Sequence, residues 1–343
     1  MEKIVIVSPG GYEKLQLKTF PDPSPGENEV LIRTSAIGVN YADCCVRWGV
    51  YESAKQYVGW PITPGFEFSG TVLKVGSRVE NIQVGQRVFG ITLFNGYSSH
   101  IIVRSKYVYP VPDHLTMEEA GGFPAVFLTA YHAIFQNVRV YPGGTALIHS
   151  AAGGVGSALV QLSKIAQLKS IAVVGAPHKV AYVKELGANV IIDKSSQELW
   201  DEVEKAAPKG VDVIFDANGP ATLKEGYDHL RPTGKLISYG FHSMLPKHGG
   251  KLKYLNAALG LIRMPRFNPL KMTNENKGVV CFNLSFLFDR DELLAEGMND
   301  LLKWIKERKI RPPKVTPYAL KDVAEAHKKI ESGTSVGKLV LIS

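Results

Sequence analysis

Six consecutive small residues, Ala151-Ala152-Gly153-Gly154-Val155-Gly156, are the part of this chain with the plainest chemical capacity. They follow an apolar run over 145–150 and open a helical pattern over 157–166. A strand, a tight glycine turn and a helix start thus come in order. Small residues there let the backbone approach a pyrophosphate, and the free N–H groups of a helix N-terminus face its charge. The stretch predicts a dinucleotide cradle with Ala152, Gly153, Gly154 and Val155 as contacts, and hence an oxidoreductase. Its first glycine position is Ala151, so the fingerprint is partial.

The next predicted strand ends Ile171-Ala172-Val173-Val174-Gly175-Ala176. Binders of NAD carry an Asp or Glu at this place, which bonds the ribose 2′-hydroxyl. This chain has none. Gly175 leaves room, and His178 and Lys179 follow at the start of the next helix. A cation at a helix N-terminus opposes the helix dipole, but it suits a 2′-phosphate. The pattern favours NADPH over NADH.

These residues need a frame to hold them. Residues 1 to about 122 read as β-rich, with short apolar runs such as 29–34, 70–76 and 86–90 between Pro/Gly turns. From about 123 the texture changes. Strands are predicted over 145–149, 170–174, 189–192, 211–215, 235–239 and 278–284, with helices over 155–168, 177–186, 196–206 and 221–230. Such alternation implies a parallel sheet with right-handed crossovers and helices on both faces. A helix over 291–309, a strand near 313–318, a helix over 321–332 and a final strand over 338–342 complete the pattern.

The 343 residues, 45% apolar, are enough for one or two domains with real cores. No apolar run approaches the ~20 residues that span a bilayer, and residues 1–7 read as a strand rather than a leader. Cys44, Cys45 and Cys281 are an odd number without framework spacing, so a reduced, cytoplasmic protein is expected. The net charge of +8 is uneven: Lys247, Lys251, Lys253, Arg263, Arg266, Lys271 and Lys277 lie between Met244 and Gly278 against Glu275 alone. A helical pattern over 254–264 puts Leu255, Ala258, Leu259 and Ile262 on one face. This basic insert suits peripheral contact with anionic lipid, a lid over a substrate cleft, or packing beside a subunit interface. No nucleic-acid motif accompanies the charge, and interleaved aromatics are few, which argues against nucleic acid as the partner.

The whole chain resembles the medium-chain dehydrogenase/reductase superfamily. The resemblance rests on Pro64-Gly65-Phe66-Glu67-Phe68-Ser69-Gly70, Val84-Gly85-Gln86-Arg87-Val88, Leu128-Thr129-Ala130-Tyr131, the 151–156 turn, Leu186-Gly187-Ala188 and Gly333-Thr334-Ser335-Val336-Gly337-Lys338. Zinc-dependent members have a histidine where this chain has Phe66 and a cysteine where it has Asn40. The four-cysteine lobe has no counterpart between Phe89 and His100. A zinc site needs three or four N, S or O ligands at suitable spacing, so no metal is expected. Asn40 and Asp43 resemble the zinc-free quinone oxidoreductase (zeta-crystallin-like) branch. The stretches 224–227, 239–240, 267–270 and 274–287 are similar to the vesicle amine transport protein homologues within it.

This resemblance implies an α/β fold: a GroES-like β-barrel domain formed by 1–122 and 285–343, and a Rossmann doubly wound parallel sheet, the NADP-binding domain, over 123–284. It places Asn40, Asp43 and Tyr51 near the active cleft. Asn40 would touch the nicotinamide ribose or the substrate oxygen, and Tyr51 would donate to the carbonyl. Asp43 and Glu67 would be structural carboxylates left from the metal scaffold. By matching position Thr129, Asn218, Gly240, Phe241, Phe282, Leu284 and Lys338 would contact the cofactor. Lys194 stands where a tyrosine is frequent and would add a cation near the 2′-phosphate; Cys45 likewise replaces a tyrosine. Strand 278–284 would pair with itself across a two-fold axis to make a homodimer, extended by 285–287, and vesicle or membrane association belongs to the same branch.

The missing zinc bears on the reaction. Zinc in a dehydrogenase stabilises an alkoxide, whose conjugate acid resembles water at pKa ~16. Hydride delivery to a quinone or enone makes a phenolate or enolate, and a phenol titrates near ~10. The difference of ~6 units is about 8 kcal/mol, so hydrogen bonds can suffice. The sequence thus predicts a zinc-independent, NADPH-dependent reductase of quinones or α,β-unsaturated carbonyls. The alternative is an NADPH-binding lipid-transfer or membrane-associated protein with little catalysis.

Overall fold

The computed structural model describes residues 1–246, 258 and 260–343. Their strands in chain order are β1 (Glu2–Val5), β2 (Gln16–Thr19), β3 (Glu29–Val39), β4 (Glu67–Val75), β5 (Arg87–Ile91), β6 (His100–Arg104), β7 (Val108–Pro110), β8 (Thr145–Ile148), β9 (Lys169–Val174), β10 (Val190–Asp193), β11 (Val211–Asp216), β12 (Leu230–Ser238), β13 (Gly278–Cys281), β14 (Val315–Ala319) and β15 (Lys338–Ile342). They fall into two compact units. Met1–Val126 with Arg311–Ser343 forms the first; Phe127–Pro246 with the described residues up to Ile310 forms the second.

The first unit is the GroES-like β fold. Its main sheet runs β14-β15-β3-β4-β5-β7, and β6 also pairs with β3. The hub is β3, antiparallel to β4, β6 and β15. Val30-Leu31-Ile32 and Ala36-Ile37 of this strand are apolar and buried without alternation, so both faces of β3 are covered there. One apolar cluster joins Ile37, Val39, Leu339 and Leu341 to Val323 and Ala326 of the helix Val323–Glu331.

The second unit is the Rossmann sheet, ordered β10-β9-β8-β11-β12-β13. Every pairing in it is parallel. The continuous apolar runs Ala146-Leu147-Ile148 and Val213-Ile214-Phe215 are buried there, as central parallel strands require. Strand order reverses between β8 and β11, and ligands of such sheets bind beyond the carboxyl ends of the strands at that place.

Some expectations shift. The last strand ends at Cys281 rather than 284, because Asn283 accepts from Ser285 N through Oδ1 (3.0 Å) and starts a 3-10 turn, Leu284–Asp289. The helix Pro269–Glu275, led by Asn268 and Pro269, is additional to the expected helices. Residues 285–310, expected with the β domain, lie in the second unit. Helix Asp291–Lys306 buries Leu294, Met298, Leu301 and Ile305. It is tied down by Tyr131 Oη to Asp300 (2.7 Å) and Gln136 Nε2 to the Leu293 carbonyl (3.0 Å). Of the helix expected over 254–264, Ala258 and Gly260–Ile262 are helical and the remainder falls mostly outside the described residues, as do Lys247, Lys251, Lys253, Leu255 and Leu259.

Candidate functional site

In the second unit the 151–156 turn links β8 to the helix Gly154–Ile165. Ser150 sits at φ 53° and turns the chain sharply; Ala151 N then bonds the Val173 carbonyl at 3.0 Å, tying the turn to β9. Ala151, Ala152 and Gly156 are buried, whereas Gly153, Gly154 and Val155 are partly open. The small residues therefore do two jobs. A Cβ at Gly156 would stand 2.2 Å from the Ser150 carbonyl oxygen and 2.7 Å from Ala151 Cα, so this glycine lets helix and strand pack. A Cβ at Gly153 would meet only the Ser150 oxygen at 3.3 Å and would otherwise project into open space. The N–H groups of the first helical turn lack acceptors within the helix, so the open part of the turn presents donors to an anion.

Beyond β9, Gly175 is exposed and the Lys194 side chain runs beside it, with Cε 3.5 Å from where a Cβ would lie. Lys194 N bonds the Val174 carbonyl at 3.1 Å, which fixes the residue at the end of that strand. Lys179 closes the 3-10 turn Pro177–Lys179 that leads into the helix Val180–Glu185. No carboxylate follows Val174 in this turn.

At the carboxyl ends of β8, β11 and β12 the described residues bury polar atoms without protein partners: both ring nitrogens of His149, Asn218 Nδ2, Ser238 Oγ and Tyr239 Oη. Buried polar groups are normally paired, so this row of orphans at the carboxyl ends of parallel strands fits a polar ligand. Asp216 is not among them. It accepts from Asn218 N and Gly219 N, both at 2.8 Å, and from Thr222 Oγ1 at 2.5 Å, and it shapes the loop that carries Asn218. His149 Nε2 is 3.8 Å from Asp216, yet burial keeps the His149 pKa below its ordinary value. Gly240 and the 41%-exposed Phe241 follow β12, Phe282 follows β13 with its N–H on the Ser238 carbonyl (3.1 Å), and Leu284 opens the next turn. Thr129 is half-buried in the helix Pro124–Tyr131. The cofactor candidates of this unit thus gather at the carboxyl ends of its strands or on that helix.

Lys338 is placed differently. It lies in the first unit, 3% exposed, with Nζ 2.6 Å from Glu67 Oε1 and 2.5 Å from Asn40 Oδ1. Asn40 Nδ2 donates to the same Glu67 oxygen at 2.9 Å, and Ala125 N donates to Glu67 Oε2 at 2.9 Å. A closed Lys–Glu–Asn triangle holds the Asn40 carboxamide. Gly38 is required beside it, because a Cβ there would fall 2.3 Å from Glu67 Oε1. Asn40 is also the N-cap of helix Tyr41–Trp48, and its N–H bonds Asp43 Oδ2 at 2.7 Å.

Asp43 is fully buried and accepts two further bonds, from Gly65 N (2.8 Å) and Tyr97 Oη (2.9 Å). Burial pushes its pKa up to about 7 against these donors. Phe66 lies in an apolar cluster with Ile6, Val46, Ile62 and Phe94, and the ring of Tyr51 meets it edge-on at 5.6 Å. The side chain at the zinc-histidine position is therefore core.

Behind Asp43 stands a cluster that the sequence reading missed. Tyr97 Oη is 3.2 Å from His327 Nε2; Arg47 NH1 is 3.0 Å from His327 Nδ1, and Arg47 NH2 is 2.8 Å from Glu331 Oε1. Arg47 and Glu331 have no solvent exposure at their side chains. Cys44, His327 and Glu331 converge closely enough to hold a metal ion. His327 Nδ1 and Glu331 Oε1 already meet the Arg47 guanidinium, which supplies the positive charge, while Cys44 Sγ lies 3.4 Å from His327 Nδ1 and burial holds its thiol protonated. His327 and Glu331 lie 280 and 284 positions from Arg47, so no spacing signals the pairing.

Comparison with known proteins agrees with this architecture. Residues 26–127 match the alcohol dehydrogenase GroES-like domain, and residues 186–341 match the family described as zinc-binding dehydrogenase. The chain is 31% identical over 341 residues to the human synaptic vesicle membrane protein VAT-1 homolog, covering 99% of this chain and 86% of that protein. The Escherichia coli quinone oxidoreductase, solved in complex with NADPH, superposes with a TM-score of 0.85 at 28% identity over all of both chains. The CurK enoyl reductase gives a TM-score of 0.82 at 26% identity over 99% of each chain. With the GroES-like and Rossmann units, the glycine turn and the full-length likeness in hand, the chain belongs to the medium-chain dehydrogenase/reductase family of oxidoreductases, among the VAT-1 homologues and close to the quinone oxidoreductases.

Proposed function

We propose that the protein is a zinc-independent reductase that uses NADPH to reduce a quinone or an α,β-unsaturated carbonyl. The observation that carries this reading is the division of labour in the 151–156 turn: Gly156 packs, while Gly153–Val155 stay open beside a row of orphaned polar atoms at the strand ends. Ala152, Gly153, Gly154 and Val155 would line the pyrophosphate, with the N–H groups of Ala152, Gly154 and Val155 as donors, since the Gly153 N–H is held by the Ser150 carbonyl at 2.9 Å. Lys179 and Lys194, with Gly175 leaving space, would take the 2′-phosphate. Asn218, Gly240, Phe241, Phe282, Leu284 and Thr129 would line the rest, and bound NADPH would supply the hydride. Asn40 and Tyr51 are assigned to the acceptor, Asn40 as an oriented carboxamide and Tyr51 as the donor to the carbonyl oxygen. Lys338 would contact the cofactor and also holds the Asn40 carboxamide, with Nζ 2.5 Å from Asn40 Oδ1. Zinc independence is supported by the burial of Phe66 and by the engagement of Asn40 with Glu67 and Lys338.

The test is loss of NADPH absorbance on addition of a panel of quinones and enones to metal-free protein. Turnover of a conjugated acceptor is expected. Background rates with every acceptor, while NADPH binds, would remove the catalytic claim.

We further propose a homodimer formed through β13, which is one of the two edge strands of its sheet among the described residues and carries the exposed Cys281. The proposed domain limits are those of the two units. A second reading, peripheral membrane contact through 244–278, is supported by Leu261, Ile262 and Leu270, which are 64%, 79% and 71% exposed close to Arg263, Arg266 and Lys271. The human relative's description as a synaptic vesicle membrane protein points the same way. No helix among the described residues is long and apolar enough to cross a membrane. Flotation with anionic liposomes, abolished by neutralising Lys251, Lys253, Arg263 and Arg266, would support this reading, and absence of flotation would remove it.

A further inference from the structure

At the carboxyl ends of β12 and β13 stands a further histidine, His132, against the ring of Phe282. His132 begins a π-helical turn, His132–Gln136, directly after the helix that carries Thr129. Such turns shift the side chains of a helix out of their usual register and recur at functional sites. The imidazole is half-buried and meets the ring of Phe282 edge-on, with centroids 4.7 Å apart; Tyr239 lies on from Phe282 at 6.2 Å. His132 therefore belongs to the same row as the orphaned Tyr239 hydroxyl and the cofactor candidates Gly240 and Phe282.

The hydrogen bonds fix the state of the ring. Gln136 Nε2 donates to the Leu293 carbonyl at 3.0 Å, which turns Gln136 Oε1 toward His132. That oxygen can only accept, so His132 Nδ1, 2.7 Å away, carries the proton. Nε2 is then a lone-pair acceptor, and no described residue donates to it. Burial lowers the His132 pKa, so the ring is neutral near pH 7 and Nε2 stays an acceptor.

We propose that His132 is a specificity residue, clamped by Gln136 so that Nε2 accepts a hydrogen bond from an N–H or O–H donor on the molecule bound at the ends of β12 and β13. This rests on the reading of that region as a nicotinamide-nucleotide site. Two sources carry such a donor: the carboxamide of the nicotinamide and the hydroxyls of a reduced acceptor. An imidazole held at one nitrogen presents the other in a fixed direction, which a free histidine would not.

The experiment compares the full-length protein with His132→Phe, which keeps the ring against Phe282 but removes the acceptor, and with His132→Gln, which restores one. Dissociation constants are measured for NADP⁺ and for its 3-acetylpyridine analogue, in which a methyl group replaces the carboxamide NH₂. Inhibition by the hydroquinone of the best quinone acceptor is measured anaerobically. If the donor is the carboxamide, H132F weakens NADP⁺ about three- to tenfold, leaves the analogue unchanged, and H132Q recovers part of the loss. If the donor is a hydroxyl of the reduced acceptor, both dissociation constants stay at wild-type values and the hydroquinone inhibition constant rises by a similar factor. Either result supports the inference and names the source. A folded H132F variant with all three constants unchanged overturns it. Should H132F not fold, Gln136→Leu releases the ring without altering its face, and wild-type constants in that variant overturn the inference equally. Failure of the wild-type protein to bind NADP⁺ at all would instead overturn the nucleotide reading and this inference with it.

Discussion

Two glycines three residues apart should fail in opposite ways. Gly153 has φ −83° and ψ 178°, which alanine adopts freely, and its Cβ would find one atom, at 3.3 Å. Gly153→Ala should leave the fold intact and can raise stability slightly, since alanine restricts the unfolded chain by about 0.4–1 kcal/mol. The added methyl would occupy the open side of the turn and disturb at least one N–H bond to an anionic oxygen. Bonds of that type contribute about 1.5–3 kcal/mol, so the NADPH dissociation constant should rise roughly tenfold to a hundredfold at about 1.4 kcal/mol per decade. Gly156→Ala is the reverse case. Its Cβ would meet backbone atoms at 2.2, 2.7 and 2.8 Å, none of them able to move without shifting the strand or the helix. Overpacking of this kind costs about 1–3 kcal/mol, or about 3–10 °C in melting temperature for a unit of this size. Thermal unfolding and a fluorescence titration with NADPH read the two effects separately. A G153A protein that binds NADPH as tightly as wild type would refute the cradle. A G156A protein with an unchanged melting temperature would refute the packing argument.

Four further outcomes follow from the same geometry. Lys338→Met leaves the fully buried Glu67 without its cation and should lower stability by about 3–5 kcal/mol, with part recovered in the Lys338→Met, Glu67→Gln double variant, as denaturant unfolding will show. Burial raises the Asp43 pKa to about 7; the folded state therefore binds the extra proton between the unfolded carboxyl range and that value, and this contribution to stability is lost as pH rises toward 7. Asp43→Asn does not titrate, so the stability gap between wild type and D43N should narrow from pH 5 to pH 8 in urea titrations. Lys194→Ala should reduce the preference for NADPH over NADH, about tenfold in the ratio of dissociation constants, with the NADH constant itself little changed. Tyr51→Phe should lower kcat for a conjugated acceptor while NADPH affinity and melting temperature hold, and an unchanged kcat would remove Tyr51 from the reaction.

Local pattern made much of this protein legible. The turn at 151–156, the alternation of strands and helices after 123 and the lack of an acid after Val174 are short-range features. Strand period, turn chemistry and helix start are written within a few residues of one another, and the parallel sheet follows from them. The substitution of Phe66 and Asn40 for metal ligands was equally plain, since the residue type alone decides whether a side chain can bind zinc. Tertiary structure decided what those residues do instead. Asn40 is held by Glu67 and by Lys338, which lies 298 positions away, and Asp43 by Tyr97. The cluster of Arg47, His327 and Glu331 likewise joins distant parts of the chain. Hydrogen bonds between such positions depend on which strand pairs with which, here β15 beside β3, and no periodicity encodes that. The structure also assigned helix Asp291–Lys306 to the second unit, because Leu294, Met298 and Leu301 required a core that the segment itself does not identify. The sequence determined that a dinucleotide could be cradled and that Phe66 and Asn40 stand where a histidine and a cysteine would bind zinc. Only the fold decided which glycine packs and which faces outward, since that depends on how the Ser150-Ala151 backbone lies: a Cβ at Gly156 would stand 2.2 Å from the Ser150 oxygen and 2.7 Å from Ala151 Cα, one at Gly153 only 3.3 Å from that oxygen.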